Sequence, residues 1–104
     1  MAKANTPGSV HAYEVCVILN AGLDEKKAGN LLDSYLKIIT DESGVIHKTD
    51  SWGRRKLAYE INKHNEGLYF IVNFSASAAT TDEFARRLGL EENTIRFKVF
   101  RNEA

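Results

Sequence analysis

Residues 45–74 read VIHKTDSWGRRKLAYEINKHNEGLYFIVNF, and this stretch decides the fold. Its end is the plainest part. Leu68, Phe70, Val72 and Phe74 alternate with Tyr69, Ile71 and Asn73, the period-two pattern of a half-buried strand. Residues 45–62 show no 3.6-residue spacing and are rich in Val, Ile, Thr, Trp and Tyr, so they form another strand. Gly53 interrupts it, and a glycine inside a strand pattern suggests a bulge. Lys63-His64-Asn65-Glu66-Gly67 reads as the hairpin loop between the two. Two strands therefore follow one another in the middle of the chain.

A helix flanks this hairpin on each side. Upstream, Tyr13, Val15, Val17 and Leu19 alternate with Glu14, Cys16 and Ile18 in a strand that Asn20-Ala21-Gly22 ends. Asp24 is placed to cap a helix. Ala28, Leu31, Leu32, Tyr35, Leu36 and Ile39 then recur at steps of three and four as one apolar stripe. Gly44 lets the chain turn back. Downstream, Thr80-Thr81-Asp82-Glu83 has the form of a capping box, Phe84 and Leu88 lie on one side of a short helix, and Gly89 is placed to end it. Ile95, Phe97 and Val99 alternate with Arg96, Lys98 and Phe100 in a last strand.

The order strand, helix, strand, strand, helix, strand is satisfied most economically by an α+β, ferredoxin-like βαββαβ fold. It is a four-stranded antiparallel sheet with two helices on one face. Val15, Val17, Leu68, Phe70, Val72, Ile95, Phe97 and Val99 should point toward the helices. Glu14, Cys16, Ile18, Tyr69, Ile71, Asn73, Arg96, Lys98 and Phe100 should point to the open face. Ile18, Tyr69, Ile71 and Phe100 are apolar for a solvated surface. Scattered exposed hydrophobes are ordinary, and a clustered aromatic and basic face also suits an RNA or protein partner.

The 104 residues suffice for one domain, and the expected division is a flexible N-terminal arm at 1–12, a single domain at 13–101 and a short tail at 102–104. The first dozen residues carry one Lys, no Arg and no apolar core, so neither a signal nor a transit peptide is expected. No apolar run approaches the roughly 20 residues of a membrane helix. With Cys16 as the one cysteine, an intrachain disulfide and a cysteine-based zinc site are both excluded.

Lys plus Arg and Asp plus Glu each number 14, so the formal net charge is zero. A surface that grips nucleic acid all over runs strongly basic, and that class is excluded. Charge is nonetheless uneven: residues 1–52 hold five Lys against seven acids, and residues 53–104 hold nine Lys or Arg against seven acids. Contact with nucleic acid must be local and must come mainly from the second half.

Enzymatic chemistry lacks its parts. His11, His47 and His64 lie on different elements, no nucleophile has a base beside it, and there is no phosphate-binding glycine loop. An acylphosphatase-like hydrolase on this fold would need an arginine in a glycine-rich loop after the first strand, where the chain has Asn20-Ala21-Gly22-Leu23. An RNA-recognition motif would need an aromatic on the outward face of the first strand. It would also need Lys or Arg, Gly and an aromatic opening the third, and the chain offers Glu14, Cys16, Ile18 and Glu66-Gly67-Leu68 instead.

One run remains unexplained by fold alone. In Trp52-Gly53-Arg54-Arg55-Lys56-Leu57-Ala58-Tyr59-Glu60-Ile61-Asn62-Lys63, three cations follow a Trp-Gly kink before an apolar strand pattern resumes. An edge strand blunted by charge fits it, and so does a basic protrusion aimed at phosphate or an acidic partner. The run resembles the hallmark of the bacterial small-subunit ribosomal protein six family. Tyr13-Glu14-Val15, Leu23-Asp24, Gly67-Leu68-Tyr69 and Ile95-Arg96 with Val99 and Arg101 extend the resemblance over about residues 13–101.

The resemblance implies the same fold and a structural, non-enzymatic role in the cytoplasmic ribosome, with no metal and no cofactor. It also implies binding to ribosomal protein eighteen and, with it, to the central domain of small-subunit ribosomal RNA at the platform. Within that frame the basic residues divide by chemistry. Trp52, Arg54, Arg55, Lys56 and Tyr59 form an aromatic-rimmed protrusion that suits the protein partner. Arg86, Arg87, Arg96, Lys98 and Arg101 form the larger positive set and suit RNA phosphate, although Arg86 and Arg87 would equally fit a solvated helix face.

Overall fold

The computed structural model describes residues 10–61 and 63–101. Its elements are β1 (Val10–Asn20), α1 (Glu25–Asp41), β2 (Val45–Ile61), β3 (His64–Ser77), α2 (Ala78–Leu90) and β4 (Thr94–Arg101). The sheet order is β2-β3-β1-β4 and every neighbouring pair is antiparallel, which is the expected ferredoxin-like arrangement.

Register explains the core. Tyr13, Val15, Val17 and Leu19 stand opposite Phe74, Val72, Phe70 and Leu68. All eight are buried on the face that receives Ala28, Leu32, Leu36 and Ile39 of α1 and Phe84 and Leu88 of α2. Ile46, Phe97 and Val99 border this core partly buried. α1 begins where expected, with the Asp24 side chain accepting from the Lys27 amide at 2.8 Å. Asn20 ends β1 by an Asx turn, its side-chain oxygen accepting from the Gly22 amide at 2.9 Å.

Several local features differ from the sequence expectations. β1 opens at Val10 and not at Tyr13, because β3 runs on to Ser77 and offers ladder partners to Val10, His11 and Ala12. The rest of the expected arm and the tail lie outside the described residues. The cap of α2 is Ser77 and not Thr80: the Ser77 Oγ accepts from the Thr80 amide at 3.1 Å. Thr80 and Thr81 are buried in the first turn, and Glu83 turns to solvent-facing arginines, so no capping box forms.

Two glycines serve close approach, and Gly44 also closes α1, its amide donating to the Ile39 carbonyl at 2.8 Å. At the end of α1 the left-handed residue is Ser43 (φ 70°). Gly44 is needed because a Cβ there would lie 2.8 Å from the Ile39 carbonyl oxygen and 3.0 Å from that of Ser75. Gly89 lies inside α2, which continues to Leu90, and leaves room for the Phe97 ring. Finally, the expected loop at 63–67 is mostly strand. Ile61 pairs with His64 and Lys63 takes φ 69°, so the reversal is tight, and the polar composition reflects exposure of the hairpin.

Candidate functional site

The site is built by a hairpin that outruns its sheet. β1 ends at Asn20, opposite Gly67, so the β2–β3 ribbon beyond Arg55 and Gly67 has no third strand beside it. The register of β2 shifts between Ser51 and Gly53, where Gly53 takes φ 76°, and again between Lys56 and Ile61. The bulge expected at Gly53 is therefore present, and a second irregularity follows it. Bulges increase local bend and twist. The ribbon leans across the face that the helices leave open.

Contacts trace this path. Leu57 (8% exposed) and Ile18 (9%) are both buried, although neither belongs to the core beneath the helices. Alternation predicts Ile18 outward and exposed; it does point outward, but the hairpin covers it. Gly67 makes this packing possible, since a Cβ there would run into the Ile18 Cγ2 methyl. Between the hairpin and the sheet lies a groove of about 300 Å³. Its lining comes from all four strands: Leu57, Ala58, Tyr59 and Ile61 of β2, Tyr69 of β3, Cys16 and Ile18 of β1, and Arg96, Lys98 and Phe100 of β4.

The cations fall into two groups by what holds them. Arg96 Nη1 donates to the Tyr59 hydroxyl at 2.8 Å. Lys98 lies 5.5 Å from the centre of the Phe100 ring, and Arg55 lies 5.2 Å from that of Trp52. Phenol and aromatic faces leave a cation's charge in place. These aromatic residues are exposed: Trp52 51%, Tyr59 62% and Phe100 48%. Lys56 is also exposed at the base of the hairpin tip.

The second group is tied to other polar groups. Arg54 pairs with Glu66 at 3.5 Å. Arg86 and Arg87 both donate to Glu83, at 2.9 Å and 2.7 Å, so this trio nets one positive charge. The Arg101 guanidinium donates to the His11 ring at 2.6 Å.

The structure also separates residues that the sequence reading grouped. Phe97 faces Gly89 of α2, so Arg96 and Lys98, one residue either side, face away from the helices. Arg101 stands opposite Tyr13, a core residue, and so lies on the helix side of the sheet. Arg86 and Arg87 are on α2 itself. The five cations assigned to phosphate are thus divided between two faces. Conversely, the hydrogen bond between Tyr59 and Arg96 joins one residue assigned to protein with one assigned to RNA. Sequence reasoning missed Leu57 and Ile18 as the seal of the groove; the apolar Leu57-Ala58-Tyr59 inside a charged hairpin was their only signal.

Two titrating groups report on the surroundings. Burial, and secondarily the charge of Glu14, push the Cys16 thiol up, which makes it a poor nucleophile. On the other face, hydrogen bonds from Arg86 and then Arg87 hold the Glu83 carboxyl down at about 2. A carboxylate whose pKa is depressed by folding stabilises above its unfolded pKa, about 4.3 for Glu, and loses that contribution as pH falls toward 2. The Glu83 side chain is 40% exposed, so solvent screens the effect. An NMR titration should place the Glu83 midpoint near 2 and return it toward about 4.3 when Arg86 and Arg87 are both replaced by Ala. A wild-type midpoint near the ordinary value would show that the trio does not persist in solution.

Comparison with known proteins follows this geometry closely. The family model described as Ribosomal protein S6 matches residues 12–101. The small ribosomal subunit protein bS6 of Nocardia farcinica is 48% identical over 91 residues, covering 88% of this chain and 96% of that one. Its counterpart from Rhodococcus opacus is 47% identical over 90 residues, covering 86% and 95%. The crystal structure of 30S ribosomal protein S6 from Thermotoga maritima superposes with a TM-score of 0.82 at 32% identity, over 89% of this chain and 88% of that one. The C-terminal domain of the MgtC protein from Mycobacterium tuberculosis, at 11% identity and a TM-score of 0.62, shares the fold alone. Matched along nearly its whole length by sequence and by structure, the chain belongs to the ribosomal protein S6 family, as a protein of the small ribosomal subunit and not an enzyme.

Proposed function

We propose that this chain is a structural component of the small subunit that binds ribosomal protein eighteen and, with it, the central domain of the ribosomal RNA at the platform. One observation supports this reading: the groove brings the exposed aromatics Tyr59 and Phe100 together with Arg96 and Lys98, the same hairpin carries Trp52 against Arg55, and no acid neutralises these three cations among the described residues. Aromatic and arginine side chains on an apolar floor suit a protein interface. The hairpin, with Trp52, Arg55 and Tyr59, meets the protein partner. Arg96 and Lys98, at the β4 rim, meet phosphate.

Zero net charge fits this division of labour. A chain with few uncompensated cations releases few counterions and binds RNA weakly alone, and a partner docked beside Arg96 and Lys98 extends the contact. The test is reconstitution on a central-domain RNA fragment. The isolated chain should bind only weakly at physiological salt, and adding ribosomal protein eighteen should recover tight, saturable binding of both. Nanomolar binding of the isolated chain, or no gain from the partner, would overturn the proposal.

A further inference from the structure

We infer that Tyr59 is a positioning residue that couples docking of the protein partner to the phosphate contact of Arg96; this rests on the function proposed above. Tyr59 lies on β2, at one edge of the sheet, and Arg96 on β4, at the other. Their hydrogen bond, 2.8 Å long and 37 residues apart in sequence, spans the open face. It exists because the register break between Lys56 and Ile61 releases residues 57–60 from regular pairing with β3. Leu57, seated in the groove that Ile18 also lines, anchors the ribbon in that position.

The bond has the chemistry of a positioner. A guanidinium carries five N–H donors in a rigid plane, and a phenol is a neutral acceptor that occupies one direction of the fork without cancelling the charge. Arg96 is in no ion pair among the described residues, in contrast to Arg54, Arg86 and Arg87. Arg96 is exposed, so its remaining donors are open to an anion. Tyr59 is itself 62% exposed, on the hairpin assigned to the protein partner. A partner that covers its ring immobilises the hydroxyl and, through it, Arg96. The ordering cost of the long arginine side chain is then met at the first docking step and not at the second, which is positive coupling between the two ligands.

The test measures RNA affinity against salt for the intact chain, with and without ribosomal protein eighteen, in wild type, Tyr59→Phe, Arg96→Ala and the double variant. Phe keeps the ring that the partner covers and removes only the hydroxyl. Tyr59→Phe should weaken RNA binding of the pair by roughly 5-fold, in the usual range of coupling, and leave RNA binding of the isolated chain within about 2-fold. It should not change the salt slope, since the cation remains. Arg96→Ala should lower that slope by about one, and adding Tyr59→Phe to it should have no further effect. Equal losses with and without the partner, or additive losses in the double variant, would overturn the coupling while leaving the proposed function intact. A wild-type chain that gains nothing from the partner would overturn both.

Discussion

Phe74→Ala should cost the fold about 3–5 kcal/mol. Phe74 is fully buried on β3, where it stacks on Tyr13 of β1 (ring centres 5.5 Å apart) and meets Phe84 of α2 edge-on (5.8 Å). One ring thus ties two central strands to the second helix. Its removal forfeits the transfer of the aromatic group, leaves a cavity that three rigid elements cannot close, and breaks two aromatic pairs. Domains of this size hold only about 5–15 kcal/mol in total, so the variant should sit near the edge of folding, with Tm lowered by roughly 15–30 °C. Urea and thermal unfolding check this. Phe100→Ala is the control: Phe100 is 48% exposed on the rim of the groove, and its loss should shift stability by no more than about 0.5 kcal/mol. A loss below about 1 kcal/mol at Phe74 would mean that the three-ring cluster does not bind the layers together.

The largest functional effect is expected at the β4 rim. Replacing both Arg96 and Lys98 by Ala should weaken assembly of the protein pair onto RNA on the order of 100-fold, from two charge-assisted contacts at about 1.5 kcal/mol each. The slope of affinity against salt should fall by about two, roughly one for each phosphate released. Association of the two proteins should be unchanged. Arg55→Ala should do the reverse. Its guanidinium lies against the Trp52 ring and donates to the Trp52 carbonyl at 3.4 Å, so truncation loosens the hairpin surface and should weaken the protein pair about 10-fold with the RNA salt slope intact. Arg86→Ala should move the slope by well under one, because Glu83 already shares its charge. Measuring both equilibria for each variant decides the assignment. If Arg55→Ala lowers the salt slope and spares the protein pair, the two surfaces are assigned the wrong way round.

Much of the fold is legible in the chain itself because its signals are local. Alternation at Tyr13–Leu19, Leu68–Phe74 and Phe97–Val99, and the stripe from Ala28 to Ile39, state which element each segment forms and which side it packs. Ile95, expected toward the helices, instead lies near Gly67 with Ile18, because β4 slips register against β1 there. Two strands between two helices then leave few topologies that cover every apolar face, and the hallmark run from Trp52 to Lys63 marks the family. Local chemistry also places the Asp24 cap, since the side chain and the amide it accepts from are three residues apart.

What the tertiary structure alone decided concerns residues that meet across strands. Ser77 caps α2, although Thr80 has the better motif, because β3 extends far enough to deliver Ser77 to the helix start. Ile18 is buried, although its side faces away from the helices, because two register shifts fold the hairpin over it. Arg101 meets the His11 ring because the ladder sets Tyr13 of β1 opposite Arg101 of β4. Tyr59 meets Arg96 because the ribbon crosses the sheet from one edge to the other. Periodicity fixes the face of a side chain within its own strand. It carries no information on how far a ribbon outruns its neighbours or where two bulges steer it, and those two quantities place the cations of this protein.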